Sequence, residues 1–100
     1  MKNRQVIDEK TASDLAEFFR ALSDTNRVRI ISALTTGELN VNALSEIIGI
    51  TESAVSHQLR GLRQMHLVRA RKEGRLVFYS LDDEHVADLF QRGLEHIQHK

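Results

Sequence analysis

Apolar residues along the chain recur with two different periods, and the change of period divides it into elements. Leu15, Phe18, Phe19 and Leu22 fall at three- and four-residue spacings, as do Val28, Ile30, Ile31, Ala33 and Leu34, and then Leu44, Ile47 and Ile48. Such spacing puts each set on one side of a helix. Thr51 to Gln64, TESAVSHQLRGLRQ, repeats the pattern with Ala54, Val55, Leu59 and Leu62. Between His66 and Leu81 the period shortens to two: Val68 and Ala70, then Val77, Tyr79 and Leu81, alternate with polar residues across Glu73-Gly74. That alternation predicts a β-hairpin, from His66 to Lys72 and Arg75 to Leu81. Helical spacing returns from Asp83 to about Gln98, with Val86, Leu89, Phe90, Gly93, Leu94 and Ile97 on one stripe.

Capping signals set the boundaries. Thr11 or Ser13 is expected to cap a first helix running to about Leu22, with the tail to about Lys10 loosely ordered. Asp24 caps Thr25 to Leu34, which Gly37 terminates. Val41 to Ile50 reads as a short helix ending at Gly49, where a tight turn needs positive φ. Thr51 or Ser53 caps the next helix, and Asp82 or Asp83 the last.

A short helix, a glycine turn and a second helix with a polar outer face match the helix-turn-helix arrangement. An ordinary pair of packed helices would show the same spacing. The outer face here carries Ser53, Ser56, His57, Gln58, Arg60 and Arg63, donors and cations of the kind that reach phosphate oxygens and base edges. Ser56 and Gln58 are the candidates for base contact. The hairpin reads as a wing whose Arg69, Arg71, Lys72 and Arg75 touch the DNA backbone.

One hundred residues make one domain, and the formal net charge is zero. Distribution changes that picture. From Arg60 to Arg75 there are six basic residues against Glu73 alone, so one face can be basic in a neutral chain. A solvated charged hairpin is the alternative. There is no cysteine, hence no disulfide and no thiolate metal site. No apolar run approaches the ~18 residues of a membrane span, and MKNRQVIDEK lacks a secretory signal. A cytoplasmic location is expected, with no membrane partner.

The last helix holds three of the five histidines, His85, His96 and His99, with Asp83 two residues before the first. Imidazole and carboxylate suit zinc and cobalt(II). His96 and His99 share a helical face, and Asp83 with His85 can meet at a helix start. His85 and His96 lie ~16 Å apart along a helix, too far for one ion at ~2 Å bonds. Two copies of the helix, antiparallel across a twofold axis, would bring Asp83 and His85 of one chain beside His96 and His99 of the other, twice per dimer. A histidine-rich solvated terminus is the competing explanation.

These motifs together (ALSDTNRVRIISAL, ELNVNALSEIIGITESAVSHQLRGLRQMHLV, RARKEGRLVFYSL and DDEHVADLFQRGLEHIQH) resemble the ArsR/SmtB family of winged helix-turn-helix metal-responsive repressors over about Leu15 to His99. The resemblance implies a mainly α fold with a β-hairpin wing and a homodimer joined through its first and last helices. It also implies an apo form that binds an inverted-repeat operator in double-stranded DNA and is released by metal. Members that sense metal on the last helix carry D-x-H, ten residues, then H-x-x-H, which falls here on Asp83, His85, His96 and His99. That subtype resembles the zinc- and cobalt(II)-responsive repressors. Where relatives with the soft-metal site have ELCVC, this chain has ELNVN, and Asn40 and Asn42 cannot supply thiolates. The tail lacks the histidines that nickel sensors recruit. In related sensors a metal-bound histidine donates its second N–H to a carbonyl just past the recognition helix; the matching pair is His96 and His66.

The expectation is a zinc-responsive transcriptional repressor. The alternative is a family member with another inducer or no metal sensing. An enzyme is not expected: Ser56-His57 has no orienting carboxylate nearby in sequence, capping explains Asp82-Asp83, and a four-ligand site argues regulation over catalysis. No small-molecule substrate is implied. A protein-interaction module is the remaining class, against which the basic hairpin speaks.

Overall fold

The structure, a computed structural model, describes residues 5–99. Five helices and three strands follow in the order α1 (Glu9–Ala21), α2 (Thr25–Leu34), β1 (Leu39–Asn40), α3 (Val41–Ile48), α4 (Glu52–Gln64), β2 (Val68–Glu73), β3 (Leu76–Leu81) and α5 (Glu84–Gln98). The helices are mostly those the stripes predict, and each begins at a side chain that accepts an N–H of the first turn. Asp24 accepts from Arg27 at 3.1 Å, Asn40 from Ala43 at 2.8 Å, and Thr51 from Ala54 at 3.0 Å. Thr51 rather than Ser53 is thus the cap of α4. Gly49 ends α3 in the left-handed region at φ 85°, as its place in the turn requires.

Four boundaries differ from expectation, the first being the start of the hairpin, which falls at Val68 rather than His66 because His66 turns into the left-handed region at φ 59°. Asp8, accepting from Thr11 at 3.1 Å, caps α1, so Glu9 and Lys10 are helical and not part of a loose tail. Residues 1–4 of that tail lie outside the described residues. Leu39–Asn40 forms a two-residue strand that pairs antiparallel with β3, giving a sheet of order β1-β3-β2. Period-two alternation cannot signal an element this short. The hairpin turn falls one residue later than expected: Glu73 pairs with Leu76, leaving Gly74 (φ 63°) and Arg75 at the tip.

The core is one cluster in which Ile30, Ile31, Leu44, Val55, Leu59, Leu62, Leu67 and Val68 are almost fully buried. It gathers α2, α3, α4 and the base of the sheet around the helix-turn-helix and fixes the pitch of α4. The first-helix stripe joins it only in part, through Phe18 and Leu22 at its edge. Leu15 is 44% and Phe19 50% exposed, Phe18 and Leu22 are half-buried, and α1 makes only marginal contact with the rest. The molecule measures 60 × 33 × 21 Å with a radius of gyration of 15.7 Å, against ~13 Å for a compact chain of this length. Ile47 (55% exposed) and Val28 (38%) also lie outside the core. α5 packs through Val86, but Leu22, Val28, Leu89, Phe90, Leu94 and Ile97 line an open apolar groove beside it. A Cβ on Gly93 would meet nothing within 4 Å, so no contact inside the chain requires that glycine.

Candidate nucleic-acid interface and metal centre

The outer face of α4 presents Ser53, Ser56, His57, Arg60 and Arg63 to solvent. They are exposed because Val55, Leu59 and Leu62 turn the opposite face into the core. Gln58 differs from the others. It is half-buried, and its Oε1 accepts from Arg27 Nε of α2 at 2.7 Å. Sequence spacing placed Gln58 on the polar face but could not show this partner, thirty-one residues away.

The wing cations divide into two kinds. Arg71 is held on three sides. Its Nε and Nη2 donate to the Glu38 carboxylate at 2.9–3.3 Å, Nη1 donates to Glu73 at 2.8 Å, and the guanidinium lies 5.1 Å from the Phe78 ring centroid. These contacts shift both partners. The hydrogen bond from Arg71 holds the Glu38 carboxyl below its ordinary value, and Glu38, then Glu73, raise Arg71 further above its own. Arg71 therefore braces the wing against the segment before β1, a partner that its expected part as a phosphate ligand did not include. Arg69, two residues away, shares its side of the strand. Lys72 and Arg75 stand exposed at the tip and form no ion pair among the described residues.

α5 collects the candidate metal donors in two pairs. Asp83 is its N-cap: Oδ1 accepts from the His85 N–H at 2.9 Å and the Val86 N–H at 3.3 Å, while Oδ2 lies 3.3 Å from His85 Nδ1. Desolvation pushes the Asp83 carboxyl up, but the bonds from His85 and Val86 outweigh it and leave it below its ordinary value. The capping oxygen is committed to backbone, and the second stays available beside the exposed imidazole. At the other end His96 and His99 border one shallow surface recess with Arg92 and Glu95. Three helical turns separate the pairs, and among the described residues no three His, Cys, Asp or Glu side chains of one chain come together as a metal site. Asp83 and His85 offer oxygen and nitrogen donors and His96 with His99 nitrogen alone, a chemistry that fits zinc or cobalt(II) better than a soft ion.

His66 occupies the connection from α4 to β2 with φ 59°, a conformation histidine tolerates better than most non-glycine residues. Its N–H donates to the Arg63 carbonyl at 3.0 Å, and among the described residues no donor reaches its own carbonyl. The next residue is tied to the start of the last helix, since the Asp82 N–H donates to the Leu67 carbonyl at 3.0 Å.

Comparison with known proteins agrees with this architecture. Residues 24–70 match the family described as "Bacterial regulatory protein, arsR family". The chain is 47% identical over 94 residues to the transcriptional repressor SmtB homolog of Synechocystis sp., covering 94% of this chain and 71% of that protein. It is 45% identical over 91 residues to a cadmium resistance transcriptional regulatory protein CadC homolog of Staphylococcus aureus, covering 90% and 75%. Among solved structures it resembles a homodimeric winged helix-turn-helix DNA-binding domain of Mycobacterium bovis, described as a possible ArsR-family regulator. The TM-score there is 0.82 at 29% identity, over 100% of this chain and 96% of that one. This chain belongs to the ArsR/SmtB family of winged helix-turn-helix transcriptional repressors, and it is not an enzyme.

Proposed function

We propose that the protein is a zinc-responsive repressor, able also to take cobalt(II), whose apo homodimer binds an inverted-repeat operator and releases it when metal binds. The observation that carries the reading is the arrangement of α5. Asp83 and His85 are drawn together at one end, His96 and His99 share a recess at the other, and the helix's apolar flank is left uncovered by its own chain. An antiparallel partner helix supplies the missing half of each donor set, giving two sites per dimer, and covers Leu94 and Ile97 together with the exposed stripe of α1. The homodimeric description of the M. bovis domain supports this assembly, and the cadmium resistance of the S. aureus relative supports a metal effector. The ELNVN segment supports a different ion from that relative's: Asn40 caps α3 and Asn42 donates to Glu52, so neither offers sulfur.

When bound, zinc would supply a redox-inert cation suited to the nitrogen and oxygen donors of Asp83, His85, His96 and His99. The rest is done by the chain. Ser53, Ser56, His57, Gln58 and Arg60 face the major groove, Arg63 and Arg69 reach flanking phosphates, and Lys72 and Arg75 track the backbone from the wing. With a metal held on one ring nitrogen, His96 would carry its proton on the other, and that N–H would be free to donate to the carbonyl of His66, joining α5 to the end of α4. That link would favour a dimer shape that fits the operator poorly.

Cobalt(II) titration tests the site. The wild type is expected to give the intense visible bands of four-coordination without sulfur-to-metal charge transfer. A weak six-coordinate spectrum, or one unchanged in His96→Ala, would refute it.

A further inference from the structure

Gly61 stands in the interior of α4, at no turn and no cap, where glycine is among the poorest residues for a helix. The space it leaves is used by another element. A Cβ at Gly61 would lie 2.6 Å from Arg27 Nη2 and 3.1 Å from its Cζ, so the guanidinium rests directly on the α4 backbone. From that seat Nε donates to Gln58 Oε1 at 2.7 Å, and Nη1 donates to the Ala21 carbonyl at 3.2 Å.

A guanidinium has donors and no acceptor, so it fixes which end of the Gln58 amide faces it. The oxygen turns toward Arg27, and the NH2 group turns away. A glutamine with a rotating amide can present either end to a base, or both ends to adenine. Gln58 cannot flip without setting an N–H against the Arg27 N–H. We propose that Arg27 is a positioning residue for sequence recognition: seated on Gly61, it locks Gln58 as a hydrogen-bond donor toward the DNA. Gln58 then reads an acceptor edge in the major groove (guanine O6 or N7, adenine N7, thymine O4) and rejects the cytosine amino group.

This inference rests on the reading of α4 as the helix that enters the groove. The competing role for Arg27 is a staple that merely ties α2 and the end of α1 to α4. Gly61→Ala distinguishes them. It adds one methyl group under the guanidinium and improves helix propensity. It removes no charge and no hydrogen-bonding group.

The experiment selects DNA from a library of randomised duplexes with the wild type and with Gln58→Ala, Gly61→Ala and Arg27→Met, with melting temperatures recorded in parallel. The wild type is expected to prefer an acceptor-bearing base at one position per half-site, and Gln58→Ala to lose that preference. Gly61→Ala and Arg27→Met should lose it by about tenfold at the same position, with other positions and the salt dependence kept. Gly61→Ala should melt no lower than the wild type. Retention of the preference in either variant, wild-type preference for cytosine there, or a loss spread evenly over all positions would overturn the proposal. If the wild type selects no sequence, the reading of α4 itself fails, which the variants alone could not produce.

Discussion

Arg71 and Arg75 sit four residues apart in one hairpin, and their different surroundings predict opposite weights in DNA binding. Arg75 is exposed at the tip with no ion pair among the described residues, whereas Arg71, its side chain half exposed, is paired with Glu38 and Glu73 and lies over Phe78. Each cation that neutralises a phosphate contributes ~0.9 to the slope of log affinity against log salt. Two wings act on one operator, so Arg75→Ala should lower the slope by ~1.8. Over a fourfold rise in salt this amounts to about a twelvefold change, so the variant's deficit at 50 mM should exceed its deficit at 200 mM by about that factor. Removing Arg71 alone would strand two carboxylates beside DNA, so the fair comparison is the double variant Arg71→Met with Glu38→Gln, which keeps the net charge. Its slope should move by less than ~0.5. Fluorescence anisotropy of a labelled duplex across a salt series, with chelator present, measures both. Equal slope losses in the two variants would show that Arg71 leaves its carboxylates for phosphate, and an unchanged slope in Arg75→Ala would remove the wing tip from the interface.

Two further outcomes follow from burial and capping. Leu59→Ala, at a position 1% exposed between the core and the reading face, should cost ~2–5 kcal/mol in urea unfolding at fixed protein concentration, whereas Ile47→Ala, 55% exposed, should stay within ~0.5 kcal/mol; comparable losses would contradict the core described for α3 and α4. Asp83→Asn keeps the oxygen that caps α5 but loses the anionic donor, so its unfolding midpoint should match the wild type while zinc affinity falls more than about tenfold in chelator competition. Unchanged zinc affinity would exclude Asp83 from the site.

Much of the fold was legible because its elements carry strong periodic signals. α2, α4, the hairpin and α5 each combine a clear stripe with a cap or a turn glycine, and Asp24, Gly49 and Thr51 act as their positions indicate. What sequence spacing cannot supply is the partner of a stripe. Leu15 and Phe19 are periodic, yet they stay about half exposed, Phe19 edge-on to the Phe18 ring at 5.3 Å, because the pattern marks a face to be covered without saying by what. The two-residue strand β1 is too short to have a period, and it exists through its pairing with Tyr79 and Phe78. The candidate site shows the same division. The donor pairs of α5 were visible as spacings on one helix. The bonds that sort the residues proposed to face DNA, Arg27 to Gln58 and Arg71 to Glu38, join positions 31 and 33 residues apart and are fixed by tertiary packing alone.

The central claim is that metal held by α5 acts on DNA held by α4. Its most direct test is a titration of labelled operator with the apo protein and with the same protein carrying one zinc per protomer. Zinc should weaken operator binding by about 5- to 150-fold, the range of a coupling of ~1–3 kcal/mol, and chelator should restore it. Equal operator affinity with and without bound zinc would contradict the account.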